Sequence, residues 1–176
     1  MVSLGVERLL SRPGSIVGDE RVGLLTNHAA VDHALRPTAD RLHADDDIDL
    51  QRLYGPEHGI RGTEQAGVAV ESAVDSRTGL PVESLYGETR RLTPALLDGV
   101  DTLICDLQDV GSRYYTLIST LAYAVEGVAA ADARIVVLDR PNPIAPLGVS
   151  GNRVEPAFSS FVGDYQLPIT HGCTIG

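Results

Sequence analysis

The sequence predicts an α/β fold built on a largely parallel sheet, and three observations carry that reading. Four short apolar runs have strand length: RVGLLT (Arg21–Thr26), IDLQRLY (Ile48–Tyr54), TLICDL after Asp101, and RIVVL (Arg134–Leu138). The stretches between them carry helix signals or are long enough for crossovers. The carboxyl end of nearly every run is polar: Asn27/His28, Glu57/His58, Asp106–Arg113 and Asp139–Asn142. Ligands bind at that end of the strands in open α/β sheets.

In chain order, Val2–Leu10 reads as a short helix closed by Pro13-Gly14, and Arg21–Thr26 is the first buried strand. Pro37–Ala44, with Leu42 among polar residues, is part of a helix. The acidic Asp45–Asp47 is a solvated turn. Ile48–Tyr54 is the second strand and ends at Gly55-Pro56. Gly59–Ser84 is glycine-rich, reads as irregular and is too long for an ordinary connection. Thr93 and Pro94 form an N-cap and a first helical position. Leu103, Ile104, Cys105 and Leu107 then fill a central strand, and the apolar Tyr114–Ala131 is expected to be helical. The last strand is Arg134–Leu138, and no helix is evident from Ile144 to Gly176. Two units are expected, an α/β domain over 1–143 and an irregular segment over 144–176.

Composition excludes several classes of function. The 24 acidic residues outnumber 14 basic ones, for a formal charge of −10. Wrapping a nucleic acid needs a basic face, so no nucleic-acid partner is expected. Cys105 and Cys173 lack CxxC spacing and read as reduced thiols. The N-terminus is interrupted by Glu7, Arg8 and Arg12 and lacks the apolar core of a signal peptide. No run reaches membrane-spanning length. A cytoplasmic chain with no membrane partner is the expectation.

Three motifs carry chemistry, each with a structural alternative. In Gly55-Pro56-Glu57-His58-Gly59 a tight turn fixes an acid and an imidazole. Glu57 held there can protonate a leaving oxygen; alternatively it pairs with Arg61 while His58 hydrogen-bonds the loop. In DLQDVGSRYY, Asp106, Gln108, Asp109 and Arg113 form the floor of a site. Otherwise Asp109 or Ser112 caps the next helix and Arg113 pairs with Asp106. Asp139-Arg140-Pro141-Asn142-Pro143 presents Arg140 and Asn142 rigidly, Arg140 with a fork suited to a carboxylate; the alternative is a rigid turn with a salt bridge. His171-Gly172 is a weaker signal. No HExxH spacing and no glycine-rich phosphate cradle is present, so neither metal nor cofactor is expected.

Taken in order, LLTNH, LYGPEHGIRG, TGLPVESLYG, DTLICDLQDVGSRYYTLISTLAYAVE, VLDRPNPI and SFVGDYQLPITHGCTIG resemble the exo-β-N-acetylmuramidase family (DUF1343) from about Arg21 to Gly176. The resemblance implies a Rossmann-like three-layer domain that releases non-reducing-terminal N-acetylmuramic acid from peptidoglycan fragments in cell-wall recycling. It implies Glu57 as the leading catalytic carboxylate. Around it, Asn27, His28, His58, Arg61, Gln108, Arg113, Tyr114, Arg140, Asn142 and His171 are expected to bind sugar. On chemical grounds Asp109 is expected to assist as a second carboxylate, with Arg113 or Arg140 holding the lactyl carboxylate. Ala29-Ala30 replaces the usual Thr-Gly of the family. The family continues past HGCTIG into a C-terminal domain, so self-association or a partner polypeptide supplying that domain is a further expectation. The alternative function is a half that binds muramyl sugars or a partner without being active alone.

Overall fold

A computed structural model describes residues 2–65, 73–87 and 89–176. Its centre is a six-stranded sheet of β1 (Arg21–Thr26), β2 (Asp49–Gly55), β3 (Ala73–Val74), β4 (Pro81–Ser84), β5 (Thr102–Asp106) and β6 (Arg134–Val137). The order across the sheet is β3-β4-β2-β1-β5-β6. Every pairing is parallel except β3–β4.

Successive side chains of a strand point to opposite faces, so an apolar run buried on both sides feeds two cores. Val22, Leu24, Leu53 and Ile104 pack beneath α1 (Gly5–Leu10) and α3 (Thr38–His43), with Val6, Leu9 and Leu42. Leu25, Tyr54, Leu103 and Cys105 pack on the other face against α4 (Leu117–Ala131), with Leu117, Leu121, Ala124 and Val128. The result is the expected three-layer α/β arrangement.

The four anticipated strands form within a residue of their expected ends. The hairpin β3–β4 was not anticipated, because Gly59–Ser84 reads as irregular. Asp75 builds it: its backbone exchanges hydrogen bonds with Leu80 and Gly79, and its carboxylate accepts from the Thr78 amide and hydroxyl. The part of that stretch at 66–72 lies outside the described residues. Pro13 opens a second short helix, α2 (Pro13–Ile16), and Thr93 caps a 3₁₀ turn at Pro94–Leu97 through its side chain. Helix α4 begins at Leu117, three residues later than expected. Ser112 is held in an extended bridge to Thr170, and the Arg113 amide donates to Ile169 O at 2.9 Å. That pairing holds 112–113 extended, and Tyr115 N donates to Ser112 O at 3.1 Å in a turn that precedes the helix. Residues 144–176 contain two 3₁₀ turns and no α-helix. No helix among the described residues is long and apolar enough to cross a membrane.

Candidate functional site

Strand order reverses at β1. The connection after β1 leads outward to β2, whereas the next central strand, β5, lies on its other side. Such a switch point opens a crevice at the carboxyl ends of the two strands. Asn27 bridges it: Oδ1 accepts from the Gln108 amide at 3.0 Å and Nδ2 donates to the Gln108 carbonyl at 3.2 Å. Both ends of this side chain are used in holding β1 to β5.

Glu57 and His58 follow β2 in a turn closed by Gly59 N donating to Pro56 O at 2.9 Å. His58 is left-handed at φ 69°, a conformation tolerated when the surroundings over-determine it. Its Nδ1 donates to Glu64 O at 2.9 Å, because a carbonyl can only accept. The His28 ring meets His58 edge-on, centroids 6.3 Å apart. Gly62, at φ +71°, makes room for it, since a Cβ there would lie 2.7 Å from His28 Cγ.

The Glu57 carboxylate accepts a hydrogen bond from Thr116 Oγ1 at 3.1 Å, and the buried Tyr86 hydroxyl lies close enough to feel its charge. Burial, and then the charge of Glu57, hold the Tyr86 hydroxyl above its ordinary value. Thr116 is the N-cap residue of α4, yet its side chain makes no capping bond. The hydroxyl is spent on Glu57 instead.

These groups open onto a cleft of about 380 Å³ lined by Asn27, His28, Glu57, His58, Gln108 and Tyr114, together with Ala29, Val110, Tyr115, Thr116 and Leu117. Tyr114 and Tyr115 are 53% and 51% exposed. A carboxylate, two imidazoles and two open phenol rings suit a polar ligand with one apolar face. Six expected residues therefore meet here. Tyr115 and Thr116 line the cleft beside the expected Tyr114 and were not anticipated.

The other six expected residues do not line the cleft. Arg140, expected to hold a substrate carboxylate, is 4% exposed. It grips Asp106, donating to Oδ1 at 2.5 Å and Oδ2 at 2.9 Å, and also donates to Val31 O. This is the salt-bridge alternative, with Asp106 rather than a ligand as the carboxylate. Arg61 is likewise committed, donating to both oxygens of Asp75 at 2.8 and 2.6 Å and pairing with Asp40; it is not the partner of Glu57. Arg113 does not pair with Asp106. Its Nη1 donates to Asn152 O and Leu167 O and pins the C-terminal segment. Asn142 donates to Cys173 O at 2.9 Å and packs on Gly111, where a Cβ would sit 2.1 Å from its Oδ1. Asp109, the expected second carboxylate, is buried. Its Oδ2 accepts from Gly111 N and lies 3.6 Å from His171 Nε2, itself buried. It shapes the loop behind Gln108 and caps no helix. Among the described residues no three His, Cys, Asp or Glu side chains are grouped to hold a metal ion.

A family model described as exo-beta-N-acetylmuramidase NamZ, N-terminal, matches residues 22–176. The chain is 46% identical over 175 residues to the peptidoglycan beta-N-acetylmuramidase NamZ of Bacillus subtilis (strain 168), covering 99% of this chain and 42% of that protein. Two crystal structures of DUF1343 family proteins from Bacteroides fragilis NCTC 9343 superpose on 98% of this chain. Their TM-scores are 0.88 and 0.81, at 45% and 31% identity, over 43% and 44% of their own length. The chain spans less than half the length of the relatives it matches.

Proposed function

Because the chain belongs to the exo-beta-N-acetylmuramidase NamZ, N-terminal, family, we propose that it carries the acid–base carboxylate of a glycoside hydrolase acting on terminal, non-reducing β-linked N-acetylmuramic acid in peptidoglycan fragments. One observation carries the reading: Glu57 lines a strand-end cleft with its carboxylate aimed by the Thr116 hydroxyl. Glycosidic cleavage needs a proton delivered to the departing oxygen as the sugar gains oxocarbenium character. Glu57 is the carboxyl group at the cleft placed to deliver it. The Tyr114 and Tyr115 rings offer faces for the C–H side of a pyranose, and His28 and His58 offer nitrogen to its hydroxyl or carboxylate oxygens. Neither Arg140 nor Arg61 takes part in recognition, since each already holds a protein carboxylate. Asp109 keeps the loop under Gln108 in place rather than acting on the sugar.

Incubation with a chromogenic β-N-acetylmuramide and its N-acetylglucosamine analogue tests this, with release expected from the first and much less from the second. Equal release from both refutes recognition of the lactyl group. A second reading is a half-site that binds muramyl sugar without turnover. Leu147, Val149 and Phe158, exposed by 67–74%, favour it, because they form apolar surface on the segment running toward the chain terminus. Binding of N-acetylmuramic acid without release from either substrate selects that reading.

A further inference from the structure

Parallel pairing carries Glu57 and the segment after β4 to the same rim of the sheet. β4 pairs with β2 in a register that sets Ser84 beside Gly55, and Leu85 N donates to Gly55 O at 2.8 Å. Glu57 and Tyr86 each follow their register partner by two residues, so both leave the sheet at its carboxyl end. Burial and the Glu57 charge raise the Tyr86 hydroxyl above its ordinary value and the Arg90 charge opposes them, so both charges lie close to one phenol. In the sheet order β4 lies on one side of β2, with β1 and β5 on the other. Arg90 thus stands on the flank of Glu57 away from Asn27 and Gln108.

The chain has no lysine, so its 14 strongly basic side chains are all arginines. Most hold an acidic partner, as Arg61, Arg140 and the adjacent Arg91 do. Arg90 is exposed and forms no ion pair with the described residues. Rings hold it instead. Its Cζ lies over the Tyr86 ring, 5.0 Å from the centroid, and over that of Phe161 at 4.7 Å. The two rings are 6.0 Å apart, and Phe161 is braced in turn by Tyr123 at 5.8 Å. Contact with ring faces leaves the five N–H donors of a guanidinium available. An arginine placed in this way suits a planar acceptor that takes two of them at once.

We propose that Arg90 is the specificity residue of the site, holding the lactyl carboxylate that distinguishes N-acetylmuramic acid from N-acetylglucosamine; the inference rests on the hydrolase reading of Glu57. That carboxylate hangs from C3 of the pyranose, two carbons from the anomeric centre, so its holder must flank the acid about one sugar ring away. Tyr86 supplies that spacing, with Glu57 near its hydroxyl and Arg90 over its ring. His28 and His58 are left for the hydroxyl groups of the sugar. Arg8 and Arg12 also form no ion pair with the described residues, but they line the groove between α1 and β6 rather than the cleft.

The test titrates the 176-residue chain with N-acetylmuramic acid, its lactyl methyl ester and N-acetylglucosamine, reading affinity by calorimetry. The parent should bind the acid about tenfold or more tighter than the ester. Arg90→Gln should bring the acid down to the ester and leave the ester and N-acetylglucosamine as in the parent. Arg90→Lys keeps the charge, loses the fork and should retain part of the preference. Arg91→Gln, which breaks the neighbouring pair with Glu126, should leave the preference intact. Thermal melts confirm that each variant is folded. Should Arg90→Gln fail to fold, Phe161→Leu removes one of the two rings and should weaken the acid alone. An undiminished preference in folded Arg90→Gln overturns the proposal. So does equal weakening of all three ligands, which makes Arg90 a clamp between Tyr86 and Phe161, and so does a folded parent that does not favour the acid. Release from the chromogenic muramide is scored separately. An Arg90-dependent preference without release refutes hydrolysis and supports the carboxylate site; release with a preference independent of Arg90 does the reverse.

Discussion

Arg140→Ala separates a structural arginine from a substrate-binding one. Asp106 is fully buried and Arg140 nearly so, and the pair joins β5 to the loop after β6, to Val31 O and to Thr38, whose hydroxyl donates to Asp106 at 2.5 Å. Removing the guanidinium strands a buried carboxylate, which costs about 3–5 kcal/mol. For a chain of this size each kcal/mol lowers Tm by about 2–4 °C, so the variant should melt about 6–20 °C below the parent. Asp106→Leu with Arg140→Met removes both charges at similar volume and should recover more than half of that loss. The remainder is the missing acceptor for Thr38, about 1 kcal/mol. Thermal melts of the parent, Asp106→Leu, Arg140→Met and the double variant close a cycle that gives the coupling directly. If Arg140→Ala melts within about 2 °C of the parent yet no longer binds N-acetylmuramic acid, the guanidinium serves the ligand and the structural assignment is wrong.

Glu57→Gln should keep its fold and lose about 10²–10⁴-fold in turnover, least for substrates with an acidic phenol as leaving group; near-normal turnover of a natural disaccharide would rule out proton donation. Thr116→Val should lower kcat by about tenfold or more with little change in KM, and Thr116→Ser should restore it. Hydrogen bonds from Arg61 and Thr78 hold Asp75 well below the usual carboxylate range. Its contribution to stability is therefore complete above about pH 4 and is lost as pH falls further. Denaturant titrations should show Asp75→Asn less stable by about 1–3 kcal/mol at pH 7, with the gap narrowing toward pH 3. Burial raises the Cys105 thiol far above its ordinary value, while Cys173 is exposed. A disulfide reagent should modify one thiol in the native protein and two in denaturant, and rapid reaction of both would contradict the packing of β5.

The sheet was legible because its central strands are short apolar runs bounded by polar residues, a signal that does not depend on tertiary context. β4 was not, since Pro-Val-Glu-Ser carries no such run and is a strand through its pairing with β2 on one side and with the hairpin that Asp75 folds on the other. The site divided the same way. Glu57 and His58 sit in a turn whose glycines and proline announce it, and Gln108 and Tyr114 follow the central strand. The arginines were not legible, because Arg140 and Arg61 carry the same chemistry whether they face a ligand or a buried aspartate, and here they hold Asp106 and Asp75. Only the fold decides which. Tyr115 and Thr116 were not anticipated, and they follow a loop whose placement depends on Thr170, more than fifty residues further along.

That dependence sets an order of events during synthesis. The sheet is complete once β6 has emerged at Val137, but the loop carrying Tyr114 and Tyr115 is not tied until Ile169 and Thr170 reach Arg113 and Ser112. At about 5–20 residues per second the interval is roughly 2–6 s. Throughout it the scaffold stands while the tyrosine wall of the cleft is loose. A chain ending at Pro168 isolates that interval: it should show protected amides in β1 and β5, rapid proteolysis between Gly111 and Thr116, and no affinity for sugar. Resistance to proteolysis there would mean that the loop sets itself without the arm.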